Sequence, residues 1–295
     1  MKCGFVSLVG RPNVGKSTLL NSILGIKIAI TSDKAGTTRN VINGIYNDKD
    51  SQIIFVDTPG IHKPNHKLGN LLNKKAYNNT EGVDVILFLV DISKGFGKGD
   101  QFILNKIKDK DVPIILLLNK IDKVKDKQKL LKDIDELRKL YDFAEIIPIS
   151  AKAHDNVDVL ITSIKKYLEE QERIYDEDDL TNVSTKFIMS ELVREKVLEL
   201  TKDEIPHSVT CYVENYEEDD KLVHIQVLIV VDRDNLKKIL IGKNGSMLKQ
   251  IGTLARHDME EFLGKKVFLE TYVKTLKNWR DQEKYFDELA LKEIE

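Results

Sequence analysis

Gly10-Arg11-Pro12-Asn13-Val14-Gly15-Lys16-Ser17 is the stretch on which the reading of this chain turns. It has the spacing Gly-x4-Gly-Lys-Ser, follows the apolar run Phe5 to Val9, and precedes a helical pattern marked by Leu19, Leu20, Ile23 and Leu24. Motif and context agree on a phosphate-binding loop between a strand and a helix. The glycines let the backbone curl so that successive N–H groups face phosphate oxygens, and the helix N-terminus adds its positive end. Lys16 supplies a point charge to the β- and γ-phosphates, and Ser17 offers a hydroxyl to Mg2+, which prefers oxygen ligands. Gly10, Asn13, Val14, Gly15, Lys16, Ser17 and Thr18 are therefore the expected phosphate-side residues.

Three further loops extend the site. Asp57-Thr58-Pro59-Gly60 ends the apolar run Ile53 to Val56, where Asp57 can reach the metal and the Gly60 N–H can approach the γ-phosphate. Asn119-Lys120-Ile121-Asp122 follows Ile114 to Leu118, and Ser150-Ala151-Lys152 follows Ile146 to Ile149. Both loops should lie on one edge of the sheet. A carboxylate accepts two hydrogen bonds only from a base with adjacent N–H donors, which guanine presents and adenine does not. Asp122 therefore predicts GTP over ATP, with discrimination of roughly two or more powers of ten if adenine leaves that carboxylate, expected to be buried, unpaired.

From the start to about residue 170, short apolar runs alternate with longer stretches of helical period, which is α/β grammar. Phe5 to Val9, Ile53 to Val56, Val85 to Val90, Ile114 to Leu118 and Ile146 to Ile149 read as strands buried on both faces of a parallel sheet. Periodicity alone leaves buried helices open; the shortness of the runs and their Gly, Pro or Asp flanks favour strands. Leu130, Leu131, Ile134, Leu137 and Leu140 mark a later helix.

The whole chain has 295 residues, 41% of them hydrophobic, enough for one large or two medium domains. A net charge of -2 rules out overall basicity and leaves only local charge to point at a partner. Two distant cysteines, Cys3 and Cys211, make a disulfide framework improbable and fit a reducing cytosol. No run of 18 apolar residues occurs, and the N-terminal apolar stretch is too short for a signal peptide, so neither a spanning helix nor export is expected.

After Lys166 the composition turns acidic, from Glu169 through Asp176-Glu177-Asp178-Asp179, and reads as a self-repelling linker. Beyond it, Met189, Leu192, Val193, Val197 and Leu200 give a helix capped by Ser184, with Pro206 closing the segment. Val209, Cys211 and Val213 pair with Val223, Ile225, Val227 and Ile229 as a hairpin across the acidic turn Glu217 to Asp220. Two helices flanking Gly242-Lys243-Asn244-Gly245 follow, then a strand through Val267, Leu269, Thr271 and Val273. A Gly-x-x-Gly pair is weak evidence, since about one is expected by chance at this glycine content. Its placement is informative: helix, strand, strand, helix, helix, strand is the order of a type II KH fold, whose loop clamps single-stranded RNA. Residues 233–256 carry +5, whereas residues 181–295 hold 18 basic against 22 acidic residues, or -4. A basic stripe on an acidic domain suggests phosphate contact through Lys238, Gly242, Lys243, Asn244, Gly245, Lys249 and Arg256. A solvated helix face with ordinary lysines is the bland alternative. Trp279 is placed either to stack on a base or to pack in a core.

With these motifs the chain resembles the translation-factor-like GTPases and specifically the Era family, whose phosphate loop reads Gly-Arg-Pro-Asn-Val-Gly-Lys-Ser, as at Gly10 to Ser17. That family also carries paired threonines before an arginine, here Thr37-Thr38-Arg39. The resemblance implies an α/β P-loop NTPase domain with a mostly parallel sheet (1–172), an acidic linker (173–183) and a smaller α+β type II KH domain with a C-terminal helix (184–295). It implies a GTPase switch that binds the 3' end of 16S rRNA and acts in small (30S) ribosomal subunit assembly, in the cytoplasm with peripheral contact to the inner face of the cell membrane. Lys16, Thr38, Asp57 and Gly60 would be the catalytic set, and Thr38 would join Ser17 and Asp57 on Mg2+. The Gln that many GTPases use to orient water is replaced by Ile61, so slow turnover is expected. His62 reads as a solvent-facing loop residue. By resemblance Asn13 helps hold a K+ ion near the phosphates. A noncatalytic RNA-binding scaffold and a membrane-surface GTPase, whose basic stripe binds anionic lipid, are the competing readings. The chain is expected to be monomeric, and with only His62 and His66 grouped, zinc is not expected.

Overall fold

The computed structural model describes residues 1–34, 36–59, 67–68, 70 and 81–285. The described residues form two compact units, one from 1–29, 41–59 and 81–182 and the other from 30–34, 36–40, 67–68, 70 and 183–285.

In the first unit, β1 (Lys2–Gly10), β3 (Ser51–Asp57), β4 (Val85–Asp91), β5 (Ile114–Asn119) and β6 (Glu145–Pro148) are the five expected strands. β3, β4 and β5 are buried along their whole length, as continuous Ile, Leu and Val runs require of a sheet covered on both faces. The sheet order is β2-β3-β1-β4-β5-β6, parallel except that β2 (Ile42–Asn47) runs antiparallel to β3 and the two-residue β7 (Glu169–Glu170) runs antiparallel to β1. Among the described residues this unit has the helices α1 (Lys16–Leu24), α2 (Lys98–Ile107), α3 (Lys127–Leu137) and α4 (Val157–Lys165). β2 has no apolar run to announce it. Its Gly44 lies against α1, where a Cβ would stand 2.5 Å from Leu20 Cδ1 and 2.7 Å from Leu24 Cδ1.

The acidic stretch is held by the first unit. Buried Gln52 accepts from the N–H groups of Ile174 and Tyr175 at 2.8 and 2.9 Å and donates to the Tyr175 carbonyl at 2.9 Å. Ile45 N donates to Leu180 O, and Asn47 Nδ2 donates to Glu177 O. The carboxylates point to water while the backbone supplies the bonds, so charge repulsion does not prevent docking. Packing therefore carries the first unit to Asn182.

The second unit runs α5 (Thr185–Leu200), α6 (Ile205–Ser208), β8 (Thr210–Glu218), β9 (Leu222–Val231), α7 (Asp234–Ile241), α8 (Ser246–Leu263) and β10 (Lys266–Thr275). Ser184 caps α5 by accepting from Phe187 N at 3.2 Å, as its position suggests. Pro206 does not end a segment; it lies in the first turn of α6, where a missing N–H costs nothing. β9 pairs antiparallel with β8 and parallel with β10, giving the order β10-β9-β8. Helices α5, α7 and α8 pack on this sheet. Among the described residues no helix is long and apolar enough to cross a membrane.

Trp279 is a core residue. It is fully buried, its Nε1 donates to Ser208 O at 2.9 Å, and the buried Arg39 guanidinium lies 5.7 Å from its ring centroid. Truncation by Trp279→Ala is expected to destabilise the second unit by about 3–5 kcal/mol, measured by urea unfolding followed by circular dichroism. Trp279→Phe should cost less. An Ala variant within about 1 kcal/mol of the parent would show that the ring does not anchor this core.

Candidate functional site

β1, β3, β5 and β6 all end at the same edge of the sheet, and each delivers one of the four motif loops there. At the phosphate loop, Asn13 and Gly15 adopt φ of 64 and 104°, which turns the chain sharply ahead of α1. A Cβ at Gly15 would stand 2.3 Å from Asn119 Nδ2, and one at Gly10 would stand 2.6 Å from Leu89 O. Both glycines are required by close approach. α1 has no side-chain cap and no acidic residue in its first turn, which leaves its N-terminal field to an anion.

Lys16, Ser17 and Asp57 form a buried cluster behind this loop. Ser17 Oγ donates to Asp57 Oδ2 at 2.7 Å, and Lys16 Nζ donates to Gly10 O at 3.4 Å. Burial raises the Asp57 pKa, against the attraction of Lys16. Burial likewise lowers that of Lys16, against the attraction of Asp57. Asp57 is fully buried, and its Oδ1 has no hydrogen-bond partner. A buried carboxylate oxygen left open beside a serine hydroxyl is the donor set a hard divalent cation takes, so Ser17 and Asp57 fit Mg2+. Among the described residues no group of three or more His, Cys, Asp or Glu side chains forms a metal cluster.

The base-side loops interlock. Asn119 Oδ1 accepts from Lys120 N at 2.8 Å and Ala151 N at 3.0 Å, while its Nδ2 donates to Val14 O at 2.8 Å. Ser150 Oγ donates to Asp122 Oδ1 at 2.6 Å and accepts from Ala153 N at 3.2 Å. That bond orients the Asp122 carboxylate, which is exposed and not buried as the sequence suggests. Lys152 is exposed, and Thr18 is half-buried in the first turn of α1.

Two acidic residues at this edge escaped the sequence reading. Asp91, at the end of β4, accepts from Lys120 Nζ at 2.8 Å and from Ser93 Oγ at 2.5 Å. Burial alone would raise its pKa, but these bonds outweigh burial and lower it. Lys120 Nζ also donates to Asn13 O at 2.6 Å, so the base loop grips the phosphate loop through its lysine. Asp100 in α2 accepts from Arg11 Nε at 2.8 Å. The available signal was position: Asp91 ends an apolar strand as Asp57 and Asn119 do.

The Thr37-Thr38-Arg39 stretch packs within the second unit. Arg39 donates to Val209 O at 2.5 Å and to Pro206 O at 3.4 Å, and burial pulls its pKa down to about 9. Arg194, paired with Glu191, donates to Thr37 O, and Glu195 accepts from Thr31 N at 2.8 Å. Thr38 is half-buried between these anchors. Gly60, Ile61, His62 and His66 lie outside the described residues.

In the second unit, Gly242 ends α7 at φ 73°, and Asn244 and Gly245 follow at φ 54 and 77°. A Cβ at Gly242 would stand 2.8 Å from Met247 Cβ, whereas Gly245 faces open space. Beside this loop lies a groove of about 380 Å3 lined by Gly245, Leu248, Lys249, Arg256, Leu269 and Thr271, among others. Lys238, Lys243, Asn244 and Lys249 are exposed, and Arg256 is paired with Glu260 at 3.0 Å. A groove that combines aliphatic and cationic side chains beside the Gly242–Gly245 loop suits an unpaired nucleic acid strand.

Residues 5–120 match the family of 50S ribosome-binding GTPases, and residues 204–280 match the KH domain. Two solved structures resemble the whole chain, each at TM-score 0.95 and 42% identity over 99% of both chains. One is Era from Aquifex aeolicus bound to GDP·AlF4−; the other is Era with MgGDPNP and nucleotides 1506–1542 of 16S ribosomal RNA. With one set of loops at a single sheet edge and identity of this extent along the full length, the chain belongs to the Era family of GTPases.

Proposed function

We propose that the protein is a GTP-hydrolysing switch that binds the 3' end of 16S rRNA and acts in assembly of the small (30S) ribosomal subunit. The observation that carries the reading is one sheet edge presenting a cation-ready phosphate cradle, Lys16-Ser17-Asp57, and a carboxylate held by Ser150 for guanine. The Era relative with bound MgGDPNP and 16S ribosomal RNA supports both ligands.

In this reading the N–H groups of Asn13 to Thr18 hold the β-phosphate, Lys16 spans the β- and γ-phosphates, and Gly60 approaches the γ-phosphate. Ser17, Asp57 and Thr38 hold Mg2+, which neutralises charge developing on the phosphate oxygens when bound. Asn119, Lys120, Asp122, Ser150, Ala151 and Lys152 form the guanine side. Asn13 provides an oxygen ligand for K+, a partial substitute for the water-orienting Gln that Ile61 replaces. Lys238, Gly242, Lys243, Asn244, Gly245, Lys249 and Arg256 contact the RNA backbone and bases. Thr37 and Arg39 are bonded to Arg194, Val209 and Pro206 within the second unit. The protein works as a monomer in the cytoplasm with peripheral contact to the inner face of the cell membrane.

Asp122→Ala should reduce GDP-over-ADP selectivity by roughly two powers of ten, measured by calorimetry on nucleotide-stripped protein. Unchanged selectivity would remove Asp122 from base recognition. An oligonucleotide of the 16S 3' end should bind more tightly with a nonhydrolysable GTP analogue than with GDP; equal affinities would leave two domains without a switch. Phosphate release should be faster in K+ than in Na+ at matched ionic strength, and equal rates would refute the role of Asn13.

A further inference from the structure

Arg11 is the second residue of the phosphate loop, yet its side chain leaves the loop and lies across the first turn of α2. There its Nε donates to Asp100 Oδ1 at 2.8 Å, while Asp100 Oδ2 accepts from Gly97 N at 2.9 Å. Asp100 is fully buried, and the Arg11 side chain is 32% exposed. The side chain passes close over Gly99, where a Cβ would stand 2.6 Å from Arg11 Cδ. A buried carboxylate needs hydrogen-bond donors, and Asp100 takes one from Gly97 N at the start of its own helix and one from the phosphate loop.

The remaining loop is fastened elsewhere. Gly10 lies against Leu89 O, Lys120 holds the Asn13 carbonyl, and Asn119 holds the Val14 carbonyl. Between the Gly10 and Asn13 anchors, Arg11 is the side chain with an ion pair to a neighbouring element. A loop already fixed in its bound shape has less conformational freedom to lose when phosphate arrives.

We propose that Asp100 is a positioning residue for the nucleotide phosphates, acting through Arg11 to preorganise the phosphate loop. This inference rests on Gly10 to Ser17 being the phosphate site. Asp100 touches no nucleotide in this account; the effect passes through the backbone that Arg11 carries.

The test compares GDP with guanosine, which shares the base and lacks phosphates, by calorimetry on nucleotide-stripped full-length protein with Mg2+. Asp100→Asn and Arg11→Ala are each expected to weaken GDP binding about tenfold and to leave guanosine binding unchanged. The double variant should lose no more than either single one, because the pair acts as a unit. Arg11→Lys should recover part of the loss. Equal GDP affinity in the Arg11→Ala variant and the parent, or an equal loss for GDP and guanosine, would overturn the proposal. So would losses that multiply in the double variant. If Asp100→Asn does not fold, the part-exposed Arg11→Ala and Arg11→Lys decide the matter alone. Failure of the unaltered protein to bind GDP, or undiminished binding in Lys16→Ala, would instead overturn the assignment of the phosphate site itself.

Discussion

A carboxylate sealed from water with one oxygen unsatisfied is the constraint on which the first unit turns. Asp57 accepts from Ser17 on one side, faces buried Lys16, and keeps Oδ1 without a hydrogen-bond partner. Such a group destabilises a fold unless something completes it, and a divalent cation with a polyphosphate does so. The parallel sheet makes the arrangement affordable, because the buried strands on either side fix the loop ends before any ligand binds. The interlocking bonds of Asn119 and Lys120 extend this rigidity from the base side to the phosphate side.

The segment between α1 and β2 includes residues 30–40. By chain order it belongs beside the phosphate loop, but by packing it belongs to the second unit, where Arg39 is buried over Trp279 and bonded to two carbonyls. A guanidinium withdrawn from water is held by those carbonyls and the ring face together, so the contact is specific rather than a surface encounter. The threonine pair therefore packs with the second unit.

Much of this was legible in the residues. The five parallel strands announced themselves as apolar runs, because burial on both faces leaves no place for polar side chains. Lys16, Asp57, Asn119, Asp122 and Ser150 were legible because their spacing from strand ends is enforced by the sheet. β2 was not: it is an edge strand with Asn43 and Gly44 in its sequence, and it forms because β3 offers it an open ladder. The acidic stretch near residue 176 read as a free linker, since charge composition is blind to backbone bonds with Gln52 and β2.

The amino-acid sequence by itself determined the two fold types, the order of the loops and the guanine-nucleotide chemistry, because each depends on residue type and local spacing. Tertiary structure alone decided that Trp279 packs in a core instead of meeting a base, that Arg39 belongs to the second unit, and that Asp91 and Asp100 reach the nucleotide loops. Each of those outcomes joins groups far apart in the chain, and contacts at such separation leave no periodic trace in sequence.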